Sequence, residues 1–310
     1  MSVSLSGNVA IVSGGGRGLG RAYALDLARH GAKVVVADNG CDLTGRGDDP
    51  APAEEVAAAI KAAGGEAIAA CEDVGSDEGA YNTIRRAVDT WGRVDAIVCN
   101  AGMLRDAALH NLNETDWDAV LRTHLKGCYA LMHHAWPVFR QQAYGRVVLA
   151  TSSAGLYGNF GQSNYGAAKA GMVGLMNVAK LEGAKYNVMV NIIAPLAATR
   201  MTMSLMSEER QALTRPELVA PAVTYLASPQ CLESGIIIEA GGGAFNRCSF
   251  VKTPGVTVDP ASAPDASWFE ANWAAITDLA DAVPMWDIAR TRAAHDAAVA
   301  SGAPSARTAI

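Results

Sequence analysis

The sequence predicts an α/β protein: a doubly wound, seven-stranded parallel sheet with helices on both faces, followed by a C-terminal helical extension. Three observations carry this. Short apolar runs such as KVVVAD and DAIVC alternate with longer stretches of helical periodicity, which is the rhythm of βαβ units. The runs are apolar along their whole length rather than at every second residue, as strands buried on both faces must be. Residues capable of chemistry, namely Gly14, Asp38, Asp73, Asn100, Ser152 and Pro195, fall at or just past the carboxyl ends of those runs, where open α/β sheets place their ligands.

The elements follow in order. Residues 8 to 13 (NVAIVS) read as a strand that runs into a glycine loop, SGGGRGLG, and then a helix stopped by Gly31. A strand over 33 to 38 ends on Asp38. Turn formers occupy 39 to 51, an Ala-rich helix 52 to 63, and Gly64-Gly65 end it. Strands over 66 to 71 and 93 to 99 flank a helix over 77 to 91, and a long helical region runs from 114 to about 140. A strand over 145 to 151, a helix from 163 to about 185, a strand over 187 to 194, a helix over 216 to 227 and a seventh strand over 235 to 240 complete the sheet. No linker interrupts residues 1 to 250, which read as one domain. After it, Pro254, Pro260 and Pro264 precede an amphipathic stretch in which Phe269, Trp273, Ile276 and Ala280 share one helical face; residues 251 to 310 are expected to pack on the same domain, with 284 to 310 forming a single helix or a frayed tail.

Bulk properties bound the function. Half of the 310 residues are hydrophobic, and 25 basic against 31 acidic side chains give a net charge of −6, so neither nucleic acid nor an anionic membrane is an expected partner. The N-terminus lacks the basic and apolar regions of a secretory signal, and no run reaches the roughly 18 apolar residues of a membrane span, so a cytoplasmic location is expected. Six dispersed cysteines show no metal-ligand spacing, and His133 and His134, adjacent on a helix, point in different directions; no metal site is expected.

The glycine loop places Gly14, Gly18 and Gly20 between a strand and a helix, where a backbone without Cβ atoms approaches a pyrophosphate and the helix N-terminus faces its charge. A tight strand-to-helix turn uses the same residues. Asp38 can accept both hydroxyls of an adenosine ribose and repel a 2′-phosphate, which favours NAD; Arg17 and Arg46 are the opposing signals, and a turn-forming aspartate is the plain alternative. Asp73 with Val74, and Asn100-Ala101-Gly102, are either parts of the adenine and central-loop walls or ordinary turns.

Tyr165 and Lys169 are four residues apart and share a helix face. A free phenol titrates at about 10, and a neighbouring ammonium lowers a pKa by about 1 to 3 units, into the range of an efficient proton donor or acceptor. Ser152, thirteen residues before Tyr165, can donate to the same substrate oxygen. Such pairs also arise by chance on ordinary helices, so their weight comes from the surrounding motifs.

Together, the glycine loop, the acidic end of the second strand, NAG at 100 to 102, Ser152 and YxxxK resemble the short-chain dehydrogenase/reductase family over about residues 5 to 245. That resemblance implies a Rossmann-type fold, substrate-oxygen binding by Ser152, acid/base work by Tyr165, ribose binding and pKa lowering by Lys169, and a dinucleotide held by Gly14, Arg17, Gly18, Leu19, Gly20, Asp38, Asp73, Val74, Asn100, Ala101, Gly102, Tyr165, Lys169 and Pro195. It also implies a homodimer or homotetramer packed through the Tyr165 helix, whose flank at 171 to 176 (GMVGLM) reads as exposed and apolar. The family's usual fourth member, an asparagine, is His124 here, a proton relay or a packed helix residue. NAGMLRDAAL, THLKGCY, YGNFGQSNY, RPELVAP and FEANWAAITD extend the likeness to about residue 283, toward the (3R)-hydroxyacyl-CoA dehydrogenase units of peroxisomal multifunctional enzymes type 2 (17-beta-hydroxysteroid dehydrogenase type 4), where histidine is usual. This narrower group implies oxidation of a (3R)-hydroxyacyl-CoA with a fatty or steroid acyl part. Without hydratase and sterol-carrier units, and ending RTAI, the chain is expected to act alone. A free hydroxysteroid substrate, or a dinucleotide sensor without turnover, are the competing readings.

Overall fold

A computed structural model describes residues 3–203, 206–258, 263–285, 288, 291–292 and 296. Packing divides the chain into two compact units, Met1–Arg247 and Cys248–Ile310.

The first unit is built on one sheet of eight strands. In chain order these are β1 (Val9–Ser13), β2 (Lys33–Ala37), β3 (Ala67–Ala70), β4 (Ala96–Cys99), β5 (Gly145–Ala150), β6 (Val188–Leu196), β7 (Ile237–Gly241) and β8 (Ala244–Cys248). In space the order is β3-β2-β1-β4-β5-β6-β7-β8, and the pairs from β3 through β7 are parallel. The strand order reverses between β1 and β4, so a crevice opens beyond their carboxyl ends. The expected seven parallel strands are present, and β8 is an addition. Gly242 and Gly243, both at positive φ (58° and 81°), make the two-residue turn that sends it back antiparallel to β7. Its sequence, AFNRC, contains no apolar run because four of its five residues are exposed.

Helices α1 (Gly18–Arg29), α2 (Ala51–Ala62) and α3 (Asp77–Trp91) fill the first crossovers. α3 starts and stops where the sequence places it: the Ser76 hydroxyl accepts from Gly79 N–H, and Gly92 supplies the left-handed residue at its end. The long helical region is not continuous. It comprises α4 (Glu114–Leu121), a π-turn over Arg122–Lys126, and α5 (Gly127–Gln142). A short α6 (Ser153–Tyr157) precedes α7 (Ser163–Gly183); α8 (Glu208–Leu213) and α9 (Ala220–Leu226) follow β6.

The expected apolar flank at 171 to 176 is corrected by burial. Met172, Val173 and Met176 belong to the core, and the exposed side of α7 is instead a stripe of Ala167, Ala170, Gly174, Val178 and Leu181. On a helix apolar nearly all round, sequence alone does not say which side meets the sheet.

The second unit contains α10 (Ala266–Thr277), capped by the Asp265 carboxylate accepting from Trp268 N–H, and an antiparallel pair, β9 (Val251–Lys252) with β10 (Val283–Pro284). The Thr253 hydroxyl donates to Ile276 O at 2.8 Å. The expected face is displaced: Phe269 and Trp273 are exposed, Ala280 lies past the helix, and the half-buried side is Trp268, Asn272 and Ile276. The expectation for 284 to 310 falls mostly outside the described residues. No helix among the described residues is long and apolar enough to cross a membrane.

Candidate active site

The β1–β4 crevice is held together by Ser13. Its hydroxyl accepts from Asn100 N–H (3.0 Å) and Ala101 N–H (3.2 Å), while Asn100 Nδ2 donates to the carbonyls of Ser13 and Gly14, both at 3.2 Å. The glycine loop is thereby tied to the end of β4. Two of its glycines are required by contact: a Cβ on Gly20 would lie 1.9 Å from Gly14 O, and one on Gly14 2.8 Å from Ala101 Cα. α1 begins at Gly18 with no capping side chain from Arg17, leaving its first-turn N–H groups facing the crevice.

Asp38 follows β2 by one residue. Its carboxylate accepts from Gly16 N–H and Gly40 N–H, both at 2.8 Å, which fixes it at the rim. Arg17 donates to Gly40 O (3.2 Å) and Cys41 O (3.1 Å) and lies 3.8 Å from Asp49, while the Arg46 backbone N–H donates to the Asp42 carboxylate. Asp73 accepts from Gly75 N–H and from Arg122 at 2.6 Å. One cleft is lined by Gly14, Arg17, Gly18, Leu19, Asp38, Asp73, Val74, Asn100, Ala101, Gly102, His124, Tyr165, Lys169 and Pro195; of the residues weighed for catalysis or cofactor in the sequence, Gly20, buried beneath the loop, Ser152 and Arg46 do not line it.

Ser152 stands beside that cleft, two residues past β5, where its hydroxyl accepts from Ala154 N–H as the cap of α6 and is hydrogen-bonded to the phenol of Tyr165. Lys169 is buried, donates to Ala150 O at 2.6 Å, and lies 5.5 Å from the centre of the Tyr165 ring. Burial brings the Lys169 ammonium down to about 8. The expected lowering of Tyr165 by Lys169 is not found. Burial pushes the phenol above its ordinary value, the Asp106 carboxylate acts the same way, and only the Ser152 hydrogen bond opposes them; the ammonium is bonded to Ala150 O.

His124 lies within the π-turn, fully enclosed. Its Nε2 sits 2.8 Å from Met103 O and 3.1 Å from Met103 N, its ring meets Tyr165 edge to face at 5.1 Å between centroids, and Nδ1 has no partner among the described residues. Burial, with Lys169 nearby, depresses its pKa to about 3, so the imidazole is neutral at ordinary pH.

Residues that sequence reasoning passed over complete the walls. Thr151 Oγ1 donates to Lys169 O at 2.7 Å and anchors α7 to β5. The thiols of Cys99 and Cys128, hydrogen-bonded to each other, lie close enough to Lys169 to influence its charge. Met103, Thr199 and Arg200 also line the cleft. None of them is given a role by the sequence, and the topology brings them there.

A Rossmann-type crevice lined by a glycine loop, Tyr165 and Lys169, with Ser152 beside it, is the arrangement of a dehydrogenase, and the chain belongs to the short-chain dehydrogenase family, whose profile matches residues 8–210. It is an oxidoreductase of CH–OH groups. Among its relatives, a short-chain type dehydrogenase/reductase of Mycobacterium tuberculosis is 48% identical over 275 residues, covering 88% of this chain and 95% of that protein. Peroxisomal multifunctional enzyme type 2 of Mus musculus is 40% identical over 89% of this chain, which spans only 37% of that enzyme. A hydroxyacyl-CoA dehydrogenase of M. tuberculosis is 38% identical over 75% of this chain and 76% of its own length. Of solved structures, the full-length type 2 enzyme of Drosophila melanogaster superposes with a TM-score of 0.81 at 33% identity, covering 96% of this chain and 50% of that one. A 7 alpha-hydroxysteroid dehydrogenase complexed with NADH and 7-oxo glycochenodeoxycholic acid gives 0.70 at 26% identity, over 78% and 95%.

Proposed function

We propose that this chain binds NAD and oxidises a (3R)-hydroxyacyl-CoA, with a fatty or steroid side chain, to the 3-oxoacyl-CoA. The observation that carries the reading is the hydrogen-bonded Ser152–Tyr165 pair beside Lys169, at the mouth of the glycine-loop cleft. The residues present fit a dinucleotide: uncapped N–H groups at the start of α1 suit a pyrophosphate, Gly14 and Gly20 let it approach, and the Asp38 carboxylate at the rim suits ribose hydroxyls. When bound, the nicotinamide supplies the hydride acceptor.

The rest falls to the protein. Ser152 holds the substrate hydroxyl, and Tyr165, as the phenolate, removes its proton while the C3–H bond gives up its electron pair and the carbonyl forms. The Ser152 hydrogen bond favours that phenolate, and Lys169, as the ammonium, holds the nicotinamide ribose. His124 serves as a neutral wall that keeps the Tyr165 ring in place. Handedness and thioester rest on the likeness to the multifunctional enzymes, and the hydroxyacyl-CoA dehydrogenase relative supports the substrate class. A free hydroxysteroid is the second reading, favoured by the likeness to the 7 alpha-hydroxysteroid dehydrogenase. A cytoplasmic homodimer is part of the same proposal.

The test is NADH production over a panel of (3R)- and (3S)-hydroxyacyl-CoA esters, fatty and steroidal, together with free hydroxysteroids. The (3R) thioesters are expected to give the highest kcat/KM, and Tyr165→Phe to stop turnover while NADH still binds. A far higher kcat/KM with a (3S) thioester or a free 17-hydroxysteroid would overturn the assignment.

A further inference from the structure

We infer that Arg200 is a cofactor-binding residue whose guanidinium closes over the phosphates of the bound dinucleotide, bridging the two lips of the cleft. The inference rests on the dinucleotide reading above.

Arg200 projects from a tight turn after β6. Thr202 N–H and Met203 N–H donate to Thr199 O at 2.9 and 2.8 Å, and the Thr202 hydroxyl donates to Ala197 O at 2.7 Å. Ala198 N–H donates to Thr214 O at 2.7 Å, fixing the turn to the segment after α8. The turn sits beside the glycine loop, since a Cβ on Gly18 would lie 3.4 Å from the Thr199 methyl. Both the base of the turn and its aim are therefore set by the fold.

From there the guanidinium crosses to the loop after β2, donating to Cys41 O from Nη1 (3.2 Å) and Nη2 (3.3 Å). The same carbonyl accepts from Arg17 at 3.1 Å. Two cations thus converge on one neutral oxygen. Arg17 has Asp49 at 3.8 Å, whereas no carboxylate among the described residues lies within 4.0 Å of Arg200. A neutral carbonyl satisfies the donors of this second cation but leaves its charge uncompensated. A pyrophosphate offers both charge and paired oxygens for a planar fork. The dinucleotide would bring one to the α1 N-terminus, in the cleft that Arg200 also lines, so the Cys41 carbonyl is the acceptor that Arg200 exchanges for phosphate oxygen.

The experiment compares the parent with Arg200→Ala and Arg200→Lys by calorimetric titration with NADH, ADP-ribose, adenosine, NADPH and CoA. Arg200→Ala is expected to weaken NADH and ADP-ribose alike, by roughly tenfold, the worth of a charge-assisted hydrogen bond. Adenosine binding should not change, and Arg200→Lys should recover only part of the loss because an ammonium cannot present the fork. Unchanged NADH affinity in both variants overturns the inference and leaves the dinucleotide reading intact. A loss confined to CoA would assign the arginine to the substrate's phosphates, and one confined to NADPH to a 2′-phosphate; either overturns it. Failure of the parent to bind NADH or ADP-ribose would overturn the dinucleotide reading itself, and this inference with it.

Discussion

Gly102 and His124 touch so closely that no side chain fits between them: a Cβ on Gly102 would lie 2.2 Å from Cε1 of the imidazole. The ring cannot retreat easily, because Nε2 is held at the Met103 backbone and its other side meets Tyr165. Gly102→Ala should therefore lower stability by about 1–3 kcal/mol and displace the tyrosine, cutting kcat at least tenfold. The double variant Gly102→Ala/His124→Asn, with a smaller group opposite the added methyl, should regain part of both losses. Thermal melts and steady-state rates on the four members of this cycle provide the check, and additive effects would show that the two residues are not coupled.

Lys169 gives a stability prediction with a definite sign. Its pKa is about 8 in the folded protein and 10.5 ordinarily. Below pH 8 both states are protonated and the fold bears the full cost of burying the charge. Between pH 8 and 10.5 the unfolded chain holds the proton that the fold has released, so stability rises with pH. Lys169→Met should be inactive yet more stable than the parent at pH 7, by at most about 3 kcal/mol less the lost bond to Ala150 O, and this advantage should shrink toward pH 10.5. Melting of both proteins without cofactor across that range tests it.

Asp38 and Arg17 are the residues on which the proposed cofactor choice turns. Asp38→Ala should raise KM for NAD by about tenfold and narrow the preference over NADP. It should not reverse that preference, because Arg17 remains held by the carbonyls of Gly40 and Cys41. Kinetics with both cofactors decide the matter; equal efficiency in the parent would remove the role given to Asp38.

Val178 and Leu181, both more than half exposed on α7, extend the small-residue stripe of Ala167, Ala170 and Gly174. An apolar helix side of this kind suits a second copy of the chain. Val178→Glu should convert a dimer to monomer in light scattering at micromolar concentration. A parent already monomeric there would remove the proposed assembly.

Where burial or a cap determines an element, its sequence is explicit. The seven parallel strands are legible because both faces are covered, and α3 because Ser76 and Gly92 close its ends. β8 was not legible, since an exposed strand has no apolar signature. In the site, spacing puts Tyr165 and Lys169 on one helix face, but spacing does not choose a rotamer; the ammonium bonds Ala150 O. Arg200 lies 159 residues from Cys41, and only the fold relates them.

The π-turn at Arg122–Lys126 has a consequence for phase. A regular helix advances about 100° per residue, and a π-turn accommodates one residue more than the α-helical pattern allows. The turn therefore resets the angular count between α4 and α5, so that His124 points into the cleft while Leu131, Met132, Ala135 and Phe139 still face the core. Deleting one residue from this turn would regularise the hydrogen bonding and rotate one half against the other by about a quarter turn. Either the histidine or the core side of α5 would then face the wrong way, so the fold constrains the length of this segment as much as its composition.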